Sequence, residues 1–401
     1  MFLAKFLTET NISFWISIIV LSFFSITIVK IKTVLGPVGI ALLYIILSVS
    51  WAIGFVSISD VTWLLLFFFL VLFSIRLGAS ISPRYKISQG DIEVTIARLV
   101  WWLCGGALAV SLFYLFLIFS RDGYSKLSWT LNYQYFSYFL SFLISVTLSV
   151  AFFLMVRRRP SYFFVSAFLI LFYGLVVGAK GSLIAIGLLY IVYYASQLNV
   201  IKFSTLFFSK FSLIVLFISF LIVTFFFGSD PLVPFLSRLA ATVDGLFILK
   251  TSELYPNFKL EFSVWRYIFD AVIAKLHGPV ESVGQVLASN SKYLGYPTYG
   301  GPNDSMVIYL LVSDPYQKLL LIMFSSVFGV FFGFIDSIIK NNNGQLSILT
   351  AVMVLPMYLL LSGFYQGVGT FFVLLARSYV FLIPFVFFVV LVLGVCQSEK
   401  R

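Results

Sequence analysis

Apolar residues form long runs along most of the chain, and polar residues are confined to the breaks between them. The runs 61–75 and 371–395 lack the strict alternation of apolar and polar residues that a membrane β-strand shows. In lipid, a spanning segment has to bond its own backbone groups, which leaves helices and closed barrels. The pattern therefore predicts an all-α polytopic membrane protein.

The lengths of the runs predict about eleven membrane spans, within a range of ten to twelve. The nearly continuous run 162–195 is too long for one crossing, so we predict that the chain turns back at Gly178-Ala179-Lys180-Gly181. The predicted spans are roughly 12–30, 36–58, 61–76, 95–119, 134–156, 161–178, 181–198, 210–227, 316–337, 346–363 and 371–395.

These spans divide the chain into three parts: spans one to eight (1–227), a long polar loop (228–315) and spans nine to eleven (316–401). Within the loop, apolar residues recur at helical spacing in two segments. This spacing predicts amphipathic helices that lie on the membrane frame. A third apolar segment ends at Asp314-Pro315, where proline favours a helix boundary, and predicts an interfacial helix. The three predicted loop helices are 237–250, 265–276 and 303–313.

Composition and charge agree with this picture. The chain is 61% hydrophobic and only 10% charged, whereas a soluble domain is roughly a quarter charged. The net charge of +11 reflects basic residues in short loops, which is typical of the positive-inside bias rather than of nucleic-acid binding. With Arg157-Arg158-Arg159 on the cytoplasmic side, alternation places the N-terminus and the long loop outside and the C-terminus inside.

The long loop contains the strongest candidates for proton transfer. His277 is the one histidine of the chain, and we interpret it either as a general base or as a helix cap that bonds the last carbonyls. Asp304, Asp270 and Glu281 are rival bases.

Four cations are predicted on the outer side: Lys180, Arg238, Arg266 and Arg377. Arg377 is predicted about 9 Å inside the membrane, where a buried arginine indicates a cavity or a partner. Each cation has an alternative explanation: a snorkelling lysine, a solvated helix face or a structural ion pair. A single anionic ligand, such as a lipid pyrophosphate, explains all four.

Three further residues are candidate contacts to sugars. Tyr299 and Asn303 lie in the rigid stretch 296–304, where tyrosine faces stack on sugar rings and polar side chains bind hydroxyls. The alternative is an ordinary surface loop of turn residues. Tyr365 lies in a glycine-rich turn, 363–369, that lets a ligand approach the backbone closely.

Several short motifs resemble those of the bacterial O-antigen and oligosaccharide repeat-unit polymerases (Wzy type), relatives of the O-antigen ligases. The motifs are Gly178-Ala179-Lys180-Gly181-Ser182, Trp265-Arg266 with Ala271 and Gly278-Pro279 after it, and Pro302-Asn303-Asp304 before an apolar helix. Ligases often have histidine where this chain has Pro302, which disfavours the ligase assignment. The resemblance implies a GT-C-like fold in a bacterial inner membrane.

The resemblance also implies a function. It implies metal-independent polymerisation of undecaprenyl-pyrophosphate-linked repeat units at the periplasmic face, with the lipid pyrophosphate as leaving group. His277 or Asp304 would take the acceptor proton, and no cofactor is expected. The expected partners are these lipid-linked glycans and membrane lipids, with a chain-length regulator protein as a further candidate and no nucleic acid. A lipid-linked glycan flippase, an O-antigen ligase and a non-catalytic scaffold remain alternatives.

Overall fold

The computed structural model of the protein is helical wherever it has regular structure among the residues that it describes. The described residues are 12–81, 91–122, 134–177, 181–197, 244–251, 255, 257–259, 263–269, 283, 286–287, 305–341, 346–365 and 368–398. The helices are α1 (Ile12–Val29), α2 (Ile31–Val34), α3 (Pro37–Ile53), α4 (Ile58–Ile81), α5 (Asp91–Asp122), α6 (Gln134–Val156), α7 (Ser161–Val177), α8 (Gly181–Gln197), α9 (Asp244–Thr251), α10 (Val264–Ile268), α11 (Met306–Val312), α12 (Pro315–Asn341), α13 (Ile348–Leu361) and α14 (Val368–Ser398).

Helices occur at ten of the eleven predicted spans. The remaining one, span eight (210–227), lies outside the described residues. Five helices are long and apolar enough to cross a membrane: Ile12–Val29, Ile58–Ile81, Glu93–Ser120, Tyr135–Val156 and Pro315–Lys340. Among the described residues, the all-α class and helices long and apolar enough to span a membrane are therefore confirmed. The number of spans stays a prediction, because α3, α13 and the apolar parts of α7 and α14 are shorter.

The helix boundaries follow from local polar residues. Pro37 occupies the first turn of α3, where its missing N–H loses no bond. Ser305 caps α11 through a hydrogen bond from the Ile308 N–H, and Asp314 accepts from the Gln317 N–H at 3.0 Å at the start of α12. The break between α7 and α8 falls where the sequence predicted a turn, although 178–180 themselves are not described.

The chain divides into two compact units. Unit 1 comprises Met1–Ser82, Phe220–Ser337 and Leu361–Val373, and unit 2 comprises Pro83–Ser219, Ile338–Leu360 and Leu374–Arg401.

Within unit 1, helices α4 and α12 cross at glycines. A Cβ added to Gly78 would lie 1.8 Å from the carbonyl oxygen of Val330, and one added to Gly333 would lie 1.9 Å from that of Ile75. Only hydrogen fits at these two positions. Small residues at helix crossings let backbones approach closely in membrane proteins, so these glycines set the spacing of the two helices.

The two short helices α9 and α11 are buried in unit 1. The α9 residues 245–249 are buried, with Phe247 against Trp51 of α3 at a ring-centroid distance of 6.0 Å. The α11 helix was predicted to be interfacial, and this prediction is wrong. Each of its seven side chains is at most 2% exposed. Its sequence, MVIYLLV, has no polar face, so burial on all sides satisfies it better than an interface does.

Within unit 2, helices α5, α6 and α7 pack together through apolar and aromatic side chains. Trp101 of α5 donates its indole N–H to the Ser166 hydroxyl of α7 at 2.8 Å. Phe142 of α6 contacts Phe385 of α14 at a centroid distance of 5.4 Å.

Candidate functional site

A cluster of polar side chains joins the beginnings of α4 and α12 in unit 1. Asp60 Oδ1 accepts from Lys318 Nζ, and Asp60 Oδ2 accepts from the Tyr255 hydroxyl. Ser57 caps α4 by accepting from the Asp60 N–H at 3.2 Å, while its own hydroxyl donates to the Asp60 carboxylate at 3.0 Å. The reciprocal bonding resembles a capping box, and it orients the carboxylate for the other two donors.

The charged and polar side chains of the cluster pair with one another. The side chains of Lys318 and Asp60 are 8% and 15% exposed, so each charge compensates the other away from most of the solvent. The Tyr255 hydroxyl also accepts from the Ser57 N–H at 3.0 Å. Burial raises the pKa of Tyr255 above its ordinary value, and its hydrogen bond to the Asp60 carboxylate adds to this.

Tyr255 belongs to the predicted long loop, so this cluster attaches the loop to the helical frame. A second attachment lies next to it in sequence: Val264, the first residue of α10, donates its N–H to the Gln317 side chain at 2.8 Å. Gln317 immediately precedes Lys318 on α12. One loop segment is therefore bonded to the beginning of α4 and the other to the beginning of α12, and the Asp60–Lys318 pair joins these two helix ends.

Arg266 is the predicted cation whose side chain the structure describes, and it lies on α10. Ser263 caps this helix through the Trp265 N–H. The rings of Trp265 and Phe269 contact Phe324 of α12 at centroid distances of 5.0 and 5.8 Å. These contacts fix α10 against the frame and leave Arg266 half-buried. Of the amphipathic helix predicted for 265–276, the structure describes a helix at Val264–Ile268, and 270–276 lie outside the described residues.

Tyr365, a predicted substrate contact, is buried in the structure, and its role toward substrate stays a prediction. Its side chain is 3% exposed, and its hydroxyl donates to the Ser325 carbonyl of α12 at 3.1 Å. Its own carbonyl accepts from the Met306 N–H at 3.1 Å, so Tyr365 joins the turn after α13 to α11 and α12. Burial raises the pKa of the Tyr365 hydroxyl, and the phenol stays a neutral donor.

The described residues do not test whether the predicted cations share one site. Arg377 lies on α14 within unit 2, whereas Arg266 belongs to unit 1, and the position of the Arg377 side chain is not described. The shared anion site stays a prediction. Six predicted site residues lie outside the described residues, as do the rival bases Asp270 and Glu281; the six are His277, Asp304, Lys180, Arg238, Asn303 and Tyr299.

Asp60, Lys318 and Tyr255 were not predicted as interacting residues. The signal for Asp60 is present in the sequence: it is the one acidic residue in 12–81, and it follows Ser57 at capping-box spacing. No local sequence pattern points to its partners Tyr255 and Lys318, because they lie 195 and 258 positions later in the chain. Among the described residues, no group of three or more His, Cys, Asp or Glu side chains is arranged to hold a metal ion.

The fold and these contacts define a helical membrane protein whose loop segments are attached at one end of its frame. No known family model matches the chain, and comparisons with curated proteins and with solved structures find no significant match.

Proposed function

We propose that this protein is a membrane glycosyltransferase that polymerises undecaprenyl-pyrophosphate-linked oligosaccharide units into O-antigen or a similar surface polysaccharide. The observation that carries the proposal is the attachment of the long loop to the frame. Tyr255 bonds to α4 and Val264 bonds to α12. The half-buried cation Arg266 lies two residues after Val264 on the same short helix. A loop held in this way supports a site that combines loop and membrane residues.

The proposed reaction is a glycosyl transfer. An acceptor hydroxyl on one lipid-linked repeat unit attacks the anomeric carbon of the growing glycan. The bond from that carbon to the pyrophosphate oxygen breaks, and the lipid pyrophosphate leaves with the bonding electrons. The acceptor proton passes to His277 or Asp304. Arg266, with Lys180, Arg238 and Arg377, stabilises the negative charge that develops on the leaving group.

The proposed location is a bacterial inner membrane, with the N-terminus periplasmic and the C-terminus cytoplasmic. Contacts within each unit support the alternation behind this proposal. Asp60 and Lys318 begin predicted spans three and nine, both on the outer side, and they form an ion pair. Arg157 and Leu346 lie at predicted inner ends, and the Arg157 guanidinium donates to the Leu346 carbonyl at 3.3 Å.

A gene deletion tests this function against its alternatives by the glycan that accumulates. Loss of a polymerase leaves single repeat units on lipid A. Loss of a ligase leaves lipid-linked polymer that never reaches lipid A, and loss of a flippase leaves lipid-linked units on the cytoplasmic side. Either of the last two results, or an unchanged surface polysaccharide, would refute the proposal.

Complementation of the deletion tests the role of Arg266. We expect Arg266→Ala to reduce the rate of polymer formation by about 10²–10³, the effect of removing one preorganised charge donor. Lys259→Ala is the matched control, because Lys259 is an exposed cation of the same loop. Equal polymer length in both complemented strains, at equal protein levels, would remove Arg266 from the proposed site.

A further inference from the structure

The turn between α6 and α7 holds an arginine in a backbone conformation that favours glycine. The Arg158 N–H bonds to the Met155 carbonyl at 3.0 Å, and the Arg159 N–H bonds to the Leu154 carbonyl at 2.9 Å. These two bonds form a Schellman motif, in which the residue after the helix cap adopts the left-handed conformation. That residue is Arg158, with a φ of 62°.

A left-handed conformation costs a residue with a Cβ about 1–2 kcal/mol relative to its right-handed form. Glycine would adopt it without this penalty, and yet the position carries a guanidinium. Strain of this kind is a reason to look for a function of the side chain.

The three arginines of the turn have different surroundings. Arg157 is fixed: its side chain is 11% exposed and lies 4.0 Å from Glu93, and it donates to the Leu346 carbonyl. Arg158 and Arg159 are exposed, and neither forms an ion pair within the part of the chain that the structure describes. The turn therefore presents two positive charges beside a neutralised pair.

A small, shallow apolar groove lies in the same unit. It is lined by Val100 of α5, by Ile348, Leu349 and Val352 of α13, and by Phe385 and Val386 of α14. It begins close to the basic turn, because Leu346, the acceptor of the Arg157 bond, lies two residues before Ile348. On α5, Val100 follows Glu93 by seven residues, which is about 10 Å along the helix axis.

We propose that unit 2 binds an anionic phospholipid of the surrounding bilayer, with its phosphate on Arg158 and Arg159 and one acyl chain against the apolar residues that line this groove. Charge complementarity and spacing select this occupant. Basic residues next to membrane helices attract anionic headgroups, and the apolar groove begins two residues after Leu346, the residue that Arg157 of the same turn bonds. A soluble anion or a nucleic acid would leave the groove empty. The proposal does not depend on the glycosyltransferase function.

Lipid retention by the purified full-length protein tests the site. The protein is exchanged into detergent with phosphatidylglycerol or phosphatidylcholine, and bound lipid is measured by native mass spectrometry. We expect preferential retention of phosphatidylglycerol. Arg158→Gly and Arg159→Gln should each weaken it about fivefold, because a basic residue near an anionic surface contributes about 1 kcal/mol. Arg158→Gly keeps the turn, since glycine adopts its conformation freely.

Two further variants separate the site from general charge effects. Lys30→Gly removes from unit 1 the other exposed cation with a positive φ among the described residues, 72°, and it should leave retention unchanged. Val352→Phe narrows the groove and should weaken retention with all arginines present. Circular dichroism and size-exclusion chromatography confirm that each variant is folded. The proposal would be overturned if Arg158→Gly retained as much lipid as the wild type, or if Lys30→Gly lost as much as Arg158→Gly. It would also be overturned if Val352→Phe had no effect, or if the protein bound polyprenyl phosphate but not phosphatidylglycerol.

Discussion

The two units differ in the best-defined charge cluster and in the packing that each contains. Unit 1 pairs Asp60 with Lys318 away from most of the solvent and brings α4 and α12 together at Gly78 and Gly333. Unit 2 exposes two arginines at a strained turn and has an apolar groove.

This difference separates two uses of a charge in a membrane protein. The Asp60 carboxylate receives hydrogen bonds from three side chains, so its charge stabilises the protein's own structure. Arg158 stabilises nothing comparable within the described residues and occupies a conformation that suits glycine. The Asp60 charge therefore has a structural role, whereas the exposed Arg158 is a charge that the proposed lipid site uses.

The largest expected effect comes from a methyl group at the crossing of α4 and α12. Gly333→Ala places a Cβ 1.9 Å from the Ile75 carbonyl oxygen, and the two backbones have to separate. We expect a loss of more than about 3 kcal/mol in the free energy of unfolding, measured by SDS titration in detergent. The control is Gly106→Ala in unit 2, where a Cβ meets nothing within 4 Å. The control should be neutral or slightly stabilising, and equal effects would contradict the difference in packing.

Breaking the ion pair should have the next largest effect. Lys318→Met leaves the Asp60 carboxylate half-buried without its cation, and we expect a loss of about 3 kcal/mol in the same measurement. The double variant Asp60→Asn, Lys318→Met should lose less free energy of unfolding than the two single variants lose together. Arg159→Gln in unit 2 should change stability by less than about 0.5 kcal/mol. A neutral Lys318→Met would show that the pair is not structural.

Tyr255 makes the stability of the protein depend on pH in the alkaline range. Its pKa is raised in the folded protein, so folding favours the protonated phenol. The stabilisation is complete below the unfolded pKa of about 10 and is lost as pH rises through the folded pKa. Tyr255→Phe should cost about 1.5 kcal/mol at neutral pH and should flatten this alkaline decline. An unchanged pH profile would exclude Tyr255 as its source.

The smallest expected effect is a gain in stability. Arg158→Gly relieves the left-handed conformation and should raise the free energy of unfolding by about 1 kcal/mol or less. Arg159→Gly is the comparison, because Arg159 is not among the residues with a positive φ, and it should be neutral or destabilising. A loss of stability with Arg158→Gly would mean that the arginine stabilises the turn.

The sequence predicted the helices well because apolar runs of membrane length admit few alternatives. It predicted α11 in position but not in burial, since a short apolar helix fits either a lipid interface or a protein interior. The ion pair between Asp60 and Lys318 could not be predicted, because nothing local couples residues 258 positions apart. The hydrogen bond of Tyr365 to Ser325 could not be predicted, because a tyrosine in a glycine-rich turn suits a ligand contact and a buried hydrogen bond equally.

The most direct test of the proposed function is glycan elongation by the purified protein in proteoliposomes supplied with one lipid-linked repeat unit as the sole substrate. We predict that the wild-type protein converts it into a ladder of lipid-linked polymers and releases lipid pyrophosphate without a nucleotide. Arg266→Ala should slow this conversion by about 10²–10³, while Lys259→Ala should leave it unchanged. A wild-type protein that is folded and membrane-inserted but leaves every repeat unit unextended would contradict the account.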